Sequence, residues 1–512
     1  MTNQPVSRII ASLIIVIAVT GCASVPLDYP KTASSALTDT RYTSLAKSNA
    51  AWRAAAPDRN GFYPLSKGMD AFGARLALMD HAERSIDAQY FLMKPDEAGL
   101  VFSGKLMEAA DRGVRVRFLL DDIFTTVDDR ALIVLDQHPN IELRIFNPIS
   151  RKGLYYFNYL GTFSIANRRM HNKSFTVDNQ VAIVGGRNIA EEYFQLQKKE
   201  EFVDFDMLSA GPIVKDISAS FDTYWNHDLA IPMEVFYHHH NDDELNEMRR
   251  AIKKAMQESG ESVYAQAINT ELMRDFYNGS LEPYFADAKI IIDDPQKLLE
   301  KVSDEYKIVA TGIAKALSKA KKEIIIITPY FIPGKNGVEF IKDITAEGVR
   351  IVLVTNSLAT NNHTSVHSAY STYRKRLLKA GVELWEARAN AAALTLDDGT
   401  IEFEQLTLHT KGILIDRRYT FVGSLNLDPR SIDINTEMGV MIDSKALAGM
   451  LTEGVLEGIP KMAYKLELDD KNKITWHASI DGQQVVETRE PLTTGWQRFM
   501  AWVLKIAPER QL

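Results

Sequence analysis

The sequence predicts an α/β protein with two tandem, related halves, each a mixed β-sheet flanked by helices. Three observations predict this: a long internal repeat, strand–helix–strand order in each copy, and a short motif that recurs at the same offset. The chain has 512 residues, of which 46% are hydrophobic and 25% charged, a balance that excludes a wholly disordered protein. A net charge of −8 excludes a uniformly basic nucleic-acid-binding surface, although not a local basic groove.

The N-terminus is typical of an export signal. Residues 9–19 are apolar but too short to span a bilayer comfortably, and small residues and Cys22, the single cysteine, follow them. The segment Val19-Thr20-Gly21-Cys22 resembles a bacterial lipobox, which implies a signal peptide over 1–21 and lipidation of Cys22. An uncleaved N-terminal anchor helix is the alternative. We therefore expect a lipid-anchored protein of the bacterial envelope that faces the periplasm, and Ala23 after the cysteine favours the outer over the inner membrane.

The internal repeat sets the domain organisation. Residues 78–121 and 317–355 share a helix, a strand that ends in Tyr-Phe, a second helix, Gly-Val-Arg and an apolar strand. Two such copies favour a pseudo-twofold arrangement with the site in a cleft at their interface; convergent α/β patterning is the alternative. The predicted organisation is a tether over 22–60, a first domain over 61–230, a connecting helical region over 231–300, a second domain over 301–445 and a C-terminal region over 446–512.

Each copy contains His, any residue, Lys, four residues and Asp, and the two motifs are 238 residues apart. They comprise His171, Lys173 and Asp178, and His409, Lys411 and Asp416. Side chains alternate across a strand, so His and Lys of each motif share one face. An imidazole and an ammonium on one face suit a phosphate group. The Asp is an odd number of residues away, so within this catalytic motif we expect it to be structural.

Polar residues downstream of each motif complete the predicted site. Asn188 and Asn426 follow their histidines by 17 residues and, with Ser424, are predicted to donate to phosphoryl oxygens. Gly186 occupies the position of Ser424 in the first copy. The carboxylates predicted to orient the histidines are Asp204 and Glu437, with Asp206 as the alternative in the first copy.

These motifs resemble those of the phospholipase D superfamily, and within it the bacterial cardiolipin synthase C type. The resemblance covers residues from about 65 to 445 and is strongest in 168–175, 185–190 and 423–431. It implies two phospholipase D-like domains and a two-step phosphodiester exchange without metal or other cofactor. It also implies that His171 attacks phosphorus to form a phosphohistidine and that His409 protonates the leaving alcohol.

The resemblance implies glycerophospholipid substrates. Phosphatidylglycerol as acceptor would give cardiolipin, with phosphatidylethanolamine or a second phosphatidylglycerol as donor, and water as acceptor would give phosphatidic acid. A nuclease or other phosphodiesterase is the rival enzyme, but no long basic groove is evident, so no nucleic acid is expected as a partner. A degenerate scaffold or lipid-binding module is disfavoured because both histidines and both lysines are present. The sequence does not identify a helper protein.

Four further segments leave alternatives open. Residues 494–507 form an amphipathic pattern that predicts either an interfacial helix or, more commonly, packing on the second domain. His238–His240 predict a polar loop in preference to a metal site. His363 and His367 predict cleft lining or a plain surface role. Asp121-Asp122 predict a headgroup contact or a helix cap.

Overall fold

The computed structural model describes residues 25–151, 159, 163–196, 200–236, 242–258, 263–299, 303–391, 405–480, 482–506 and 509–511. The predicted signal peptide, Cys22 and His238–His240 lie outside this part of the chain. Within it, none of the helices has the length and apolar character needed to cross a membrane.

The first half is built on one mixed sheet. Its strands are β1 (Asn60–Leu65), β2 (Ser85–Tyr90), β3 (Arg115–Asp121), β4 (Ile141–Phe146), β5 (Ser174–Val177), β6 (Val181–Gly185), β7 (Glu200–Val203), β8 (Asp206–Ala210) and β9 (Ala230–Pro232). Seven pairings order the sheet as β9-β4-β3-β2-β5-β6-β8-β1, with β2, β3 and β4 parallel and the other neighbours antiparallel. Strand β7 lies outside this sheet.

The second half repeats the pattern. Its strands are β10 (Tyr284–Ile292), β11 (Glu323–Ile327), β12 (Arg350–Asn356), β13 (Glu383–Ala387), β14 (Gln405–Leu408), β15 (Gly412–Ile415), β16 (Tyr419–Gly423), β17 (Met438–Asp443), β18 (Ala463–Leu468), β19 (Ile474–Ile480) and β20 (Gln483–Glu487). The order is β10-β17-β16-β15-β11-β12-β13-β18-β19-β20, with β11, β12 and β13 parallel. Isoleucines fill β11, as expected for a strand covered on both faces. The predicted α/β class with two related halves is confirmed.

Helices cover the faces of both sheets. They are α1 (Ser44–Ser48), α2 (Ala50–Ala55), α3 (Gly68–Asp80), α4 (Glu97–Asp111), α5 (Asp129–Asp136), α6 (Phe163–Ala166), α7 (Ile213–Trp225), α8 (Asp242–Glu258), α9 (Val263–Ile268), α10 (Glu271–Asn278), α11 (Ile308–Leu317), α12 (Gly334–Ala346), α13 (Thr364–Ser371), α14 (Arg374–Lys379), α15 (Pro429–Asp433), α16 (Lys445–Met462) and α17 (Gly495–Val503). Side-chain caps mark several starts: Asp96 accepts from the backbone N–H of Gly99 at α4, and Thr494 forms a capping box at α17.

Strand β10 joins the two halves. Its first residues pair with β1, and the stretch from Asp287 to Ile292 pairs with β17, so the two sheets are continuous. A shared apolar cluster adds to this contact, with Val184 and Met207 from the first half packed in the same cluster as Val422 and Val440 from the second. The halves therefore form one body around their pseudo-twofold relation.

The structure corrects the predicted tether. The backbone between residues 31 and 40 lies along the first half, where buried arginines of its sheet bind it. Arg144 donates to the carbonyl of Thr32 (2.7 Å) and Arg117 to that of Ser34 (3.0 Å). Asp222 accepts from the N–H of Ala36 (2.9 Å). This segment is therefore a strap on the first domain, because its backbone carbonyls accept hydrogen bonds from buried guanidinium groups.

The regions predicted on either side of the second domain also belong to the domain bodies. Helices α8, α9 and α10 of the region predicted as a connector pack on α3 and α4 of the first half. Past residue 445, β18 pairs with β13 and extends the second sheet by three strands. These strands carry no repeated motif, so the repeat gave no signal for them.

Candidate active site

Each motif histidine follows a segment that pairs with the opposite half. The backbone N–H of His171 donates to the carbonyl of Thr436 (3.0 Å), and Met170 forms an isolated parallel bridge with Thr436. Likewise, the N–H of His409 donates to the carbonyl of Val203 (2.8 Å), and β14 pairs in parallel with β7. Two crossed parallel pairings thus bring the motifs together.

The ends of two equivalent central strands hold these segments. Asp121, at the end of β3, accepts from the N–H of Met170 (2.9 Å). At the end of β12, Asn356 accepts from the N–H of Leu408 (2.9 Å) and donates to its carbonyl (2.8 Å). Asp122 accepts from the N–H of Ile149 (2.6 Å) and also binds Arg151 (2.6 Å). The aspartates considered for a headgroup contact or a helix cap therefore position the backbone instead.

The orienting carboxylates are exchanged between the halves. His171 Nδ1 lies 2.9 Å from Glu437 Oε2, and His409 Nδ1 lies 2.6 Å from Asp204 Oδ2. Both carboxylates are fully buried. A neutral imidazole that donates through Nδ1 carries its lone pair on Nε2, so each ring presents Nε2 as its reactive atom. Neither half contains a complete histidine–carboxylate pair by itself.

The motif lysines lie beside their histidines. Lys173 Nζ donates to the carbonyl of His171 (2.6 Å), and Lys411 Nζ donates to that of His409 (2.5 Å) and lies within 3.0 Å of both ring nitrogens of His409. Both lysines are buried. Among the described residues, neither ammonium has a carboxylate within 4.0 Å. Their charge is therefore available to an anionic ligand.

Both motifs open on one cleft of about 520 Å³. His171, His409, Asn188 and Asn426 line it together with residues of both halves, among them Phe91, Tyr193, Phe202, Tyr330, His363, Asp428 and Arg430. The Oδ1 atoms of Asn188 and Asn426 are buried without a hydrogen-bond partner in the described part of the chain. Each amide oxygen thus remains an unused hydrogen-bond acceptor beside the cleft.

Ser424 has a different place from the predicted one. Its hydroxyl donates to Glu437 Oε2 (2.5 Å), and the residue does not line the cleft, which corrects its assignment as a phosphate-binding residue. At the equivalent position, a Cβ on Gly186 would lie 2.2 Å from Asp204 Oδ1. The first half therefore requires glycine where the second uses serine, because the shorter carboxylate of Asp204 lies directly against the backbone.

The motif aspartates lie away from the cleft. Asp178 accepts from the N–H groups of Arg84 (2.7 Å) and Ser85 (2.9 Å), and Asp416 accepts from those of Lys322 (2.7 Å) and Glu323 (3.0 Å). They cap the starts of β2 and β11, as their odd spacing predicts, so grouping them with the catalytic residues is corrected. Asp206, the alternative orienting residue, is paired with Arg75 (2.9 Å).

Burial and mutual charge set the protonation of the four motif side chains. Burial, with the charges of Lys173 and Lys411, holds the pKa of His171 well below its ordinary value. Burial and Lys411 lower the pKa of His409 to about 3. Burial lowers the pKa of Lys173 to about 7 and that of Lys411 to about 8. In the free cleft at neutral pH both imidazoles are neutral, and the lysines are poised to become fully charged when an anion binds.

The two carboxylates differ in charge. Burial raises the pKa of Asp204, but His409 and Lys411 outweigh this effect and bring it below the ordinary value. Burial raises the pKa of Glu437 to about 7, against the opposing effects of Lys173 and the Ser424 hydroxyl. His409 therefore has the more strongly anionic partner, and Asp204 is suited to stabilise the imidazolium form of this histidine.

Aromatic side chains that the site prediction missed pack on both imidazoles. Phe91 meets the edge of His171 at 4.8 Å between ring centroids, and Phe202 stacks on His409 at 5.3 Å. Tyr193 also contacts His409 and accepts from Asn188 Nδ2 (2.9 Å). The repeated Tyr-Phe pair could have identified Phe91; no repeat marks Phe202 or Tyr193.

The remaining histidine predictions separate. His363 lines the cleft, whereas His367 is buried and lies 2.9 Å from Arg374 Nη2. Cleft lining thus holds for the first and a structural position for the second. Within the described residues, no group of three or more His, Cys, Asp or Glu side chains could hold a metal ion.

Comparison with known proteins matches this architecture. A family model described as "Cardiolipin synthase, PLD-like domain" matches residues 76–225 and 313–455. Cardiolipin synthase C of Escherichia coli strain K12 is 36% identical over 88% of this chain and 96% of its own. An uncharacterized protein of Helicobacter pylori strain J99 is 32% identical over 89% of this chain and 90% of its own. The crystal structure of phosphatidylserine synthase from Haemophilus influenzae shares the fold, with a TM-score of 0.53 at 14% identity over 82% of this chain and 92% of its own.

Proposed function

The chain belongs to the phospholipase D superfamily, in the family of cardiolipin synthase, PLD-like domains, and on this premise we propose that it is a phosphatidyltransferase that makes cardiolipin. The acceptor is phosphatidylglycerol, and the donor is phosphatidylethanolamine or a second phosphatidylglycerol. The enzyme is anchored through a lipid on Cys22 and acts at the periplasmic face of the envelope, with the outer membrane favoured. An anchored enzyme meets its lipid substrate at high local concentration.

One observation carries the proposal: the histidines of two His-Lys pairs from different halves line a single cleft, and each binds a carboxylate from the opposite half. In the first step, His171 Nε2 bonds to phosphorus while the bond from phosphorus to the leaving alcohol breaks. When the anionic phosphodiester binds beside His409, the ring takes up a proton from solvent at Nε2, and it then gives this proton to the leaving oxygen. In the second step, His409 takes the proton of the acceptor hydroxyl, the new phosphorus–oxygen bond forms and the phosphohistidine bond breaks.

The electrostatics support this assignment of roles. His171 is neutral in the free cleft and so has a nucleophilic lone pair. Asp204 is ionised beside His409 and stabilises the cation that a general acid requires. Lys173 and Lys411 supply donors and positive charge to the non-bridging oxygens, where negative charge concentrates in the transition state. Such prepositioned donors are worth roughly 10²–10³-fold in rate each.

Hydrolysis to phosphatidic acid is the alternative outcome, since water entering in place of the acceptor would give it by the same steps. A nuclease is disfavoured by the charges of the cleft wall, where Arg430 and Lys94 are accompanied by Glu192, Glu200 and Asp428. Lys94 is already paired with Glu192 (2.5 Å). A wall of mixed sign does not form the continuous basic track that a polynucleotide requires.

The test uses purified full-length enzyme in mixed micelles with labelled phosphatidylethanolamine and phosphatidylglycerol. We expect labelled cardiolipin whose formation requires phosphatidylglycerol. Labelled phosphatidic acid as the sole product would support the hydrolase, and turnover of single-stranded DNA without turnover of either lipid would support the nuclease. The His171→Ala and His409→Ala variants serve as inactive controls, since near wild-type activity in either contradicts the paired-histidine scheme.

A further inference from the structure

The C-terminal helix exposes a row of aromatic rings. Trp496, Phe499 and Trp502 of α17 are 68%, 49% and 66% exposed, whereas Ala501 on the opposite side is buried. Consecutive ring centroids are 5.6 and 6.2 Å apart, so the rings form one continuous strip. Ile506 beyond them is 87% exposed. The helix packs on α13 of the second domain, as expected for the more common outcome, while its aromatic rings remain exposed.

This strip lies beside the mouth of the catalytic cleft. Helix α17 packs on α13, whose residues Ser365 and Val366 line the cleft. The chain after the strip returns to the cleft wall, where Gln511 Oε1 accepts from Asn167 Nδ2 (2.8 Å). Tyr373 donates to Glu509 (2.6 Å) and fixes the same segment.

The first half also contributes exposed apolar groups beside the cleft. Phe124, which lines the cleft, is 43% exposed, and Phe163 and Ile165 on α6 are 41% and 43% exposed. Phe163 meets Tyr159 of the cleft wall edge-on at 5.6 Å. Helix α6 leads directly to Asn167, the partner of the C-terminal segment. Exposed apolar groups of both halves therefore border one opening.

We propose that this border is a bilayer-docking surface and that Trp496, Phe499 and Trp502 enter the interfacial layer of a phospholipid membrane. Tryptophan favours that layer because its ring is apolar and its indole N–H is polar. The helix carries Arg498 and no acidic side chain, which suits an anionic lipid surface. The choice of partner rests on the proposed function: a cleft that processes phospholipids needs its opening at the membrane, so that a lipid reaches His171 and His409 without crossing water.

The test is lipid quenching of tryptophan fluorescence in the full-length protein. Wild type and the double variant Trp496→Phe/Trp502→Phe are bound to vesicles of phosphatidylglycerol and phosphatidylcholine, with the latter either brominated on its acyl chains or unbrominated. We expect brominated lipid to quench wild-type emission and this quenching to be lost in the double variant, which keeps the apolar surface and removes the reporters. Equal quenching in both proteins overturns the proposal, and this comparison holds whether or not the N-terminus also inserts into the membrane.

A second measurement separates docking from catalysis. Replacing Trp496, Phe499 and Trp502 with Ser should raise the KM for vesicle substrate by roughly 100-fold, since each ring loses its burial in the lipid. Turnover of a short-chain, monomeric phosphatidylglycerol should stay unchanged. An equal loss of activity on both substrates contradicts docking. So does burial of the strip in a second copy of the chain, which would be seen as an oligomer in the wild type that dissociates in the serine variant. If the proposed reaction is absent, the quenching result still decides the docking.

Discussion

The exchanged carboxylates make a prediction about leaving groups. Asp204→Asn replaces the carboxylate that lies 2.6 Å from His409 Nδ1, and Glu437→Gln replaces the carboxyl group that lies 2.9 Å from His171 Nδ1. If His409 is the acid, Asp204→Asn weakens protonation of the leaving oxygen. If His171 is the nucleophile, Glu437→Gln weakens attack on phosphorus. The two variants should therefore respond differently when the leaving group needs no proton.

The magnitude follows from the burial of the pair. A hydrogen bond to a charged group is worth about 1.5–3 kcal/mol, and the fully buried Asp204 places its bond at the upper end. A loss of about 3 kcal/mol from the transition state corresponds to roughly 100-fold in rate. We expect that loss in kcat/KM for a phospholipid, whose alkoxide leaves only when protonated. With phosphatidyl-p-nitrophenol, the first-turnover release of p-nitrophenol by the Asp204→Asn variant should return to near the wild-type rate, whereas that by Glu437→Gln should stay slow.

The assay follows p-nitrophenol by absorbance and lipid products by chromatography, with Glu200→Gln as control because Glu200 lines the cleft without contacting either imidazole. Equal thermal unfolding temperatures would establish that the variants are folded. Recovery of Glu437→Gln instead of Asp204→Asn would reverse the two histidine roles. No recovery in either variant would contradict separate roles for the two carboxylates.

Three further predictions concern the lysines, a motif aspartate and a glycine. Burial lowers the pKa of Lys173 to about 7 and that of Lys411 to about 8, so both side chains are cationic only below those values and kcat/KM should fall as pH rises through 7 to 8. The fall in kcat should occur at higher pH because bound phosphate favours the cations, and pH profiles of kcat and kcat/KM that fall together would contradict this. Asp178→Ala should lower the free energy of unfolding by about 3 kcal/mol in urea titrations, because it leaves backbone N–H groups unpaired, and should leave kcat unchanged. Asp178→Asn should be milder, since asparagine tolerates the left-handed backbone at φ 52°, and a lost kcat with unchanged stability would contradict a structural role. Gly186→Ala should displace the Asp204 carboxylate and cost roughly 100-fold in turnover, whereas Gly449→Ala, in open space, serves as the control; an equal effect of both would contradict the close approach.

The repeat and the motif spacing predicted much of this site. The offset between the motifs indicated two equivalent halves, and strand alternation placed His171 with Lys173 on one face and Asp178 off it. What the repeat could not show is which carboxylate serves which histidine. Asp204 and Glu437 each follow the histidine of their own half in sequence, and only the crossed pairings of β7 with β14 and of Met170 with Thr436 exchange them.

The errors have similar physical causes. The strap after residue 30 has the composition of a solvated linker, and its partners Arg117 and Arg144 lie far away in sequence, where nothing marks them as binding a backbone carbonyl. Ser424 was predicted to donate a hydrogen bond to phosphate because the sequence shows no other partner for its hydroxyl. In the structure that hydroxyl is buried beside Glu437 and donates to its carboxylate. Local patterns predict faces and strand ends, whereas partners between distant segments require the fold.

The proposed mechanism requires that His171 becomes covalently linked to the phosphatidyl group while His409 acts on the leaving and entering oxygens. The most direct measurement is intact-protein and peptide mass spectrometry of the His409→Asn variant quenched during reaction with phosphatidyl-p-nitrophenol, whose leaving group needs no acid. We expect an acid-labile phosphatidyl adduct on His171 that builds up because the second step lacks its base. No adduct while p-nitrophenol is released, or an adduct on another residue, would contradict it.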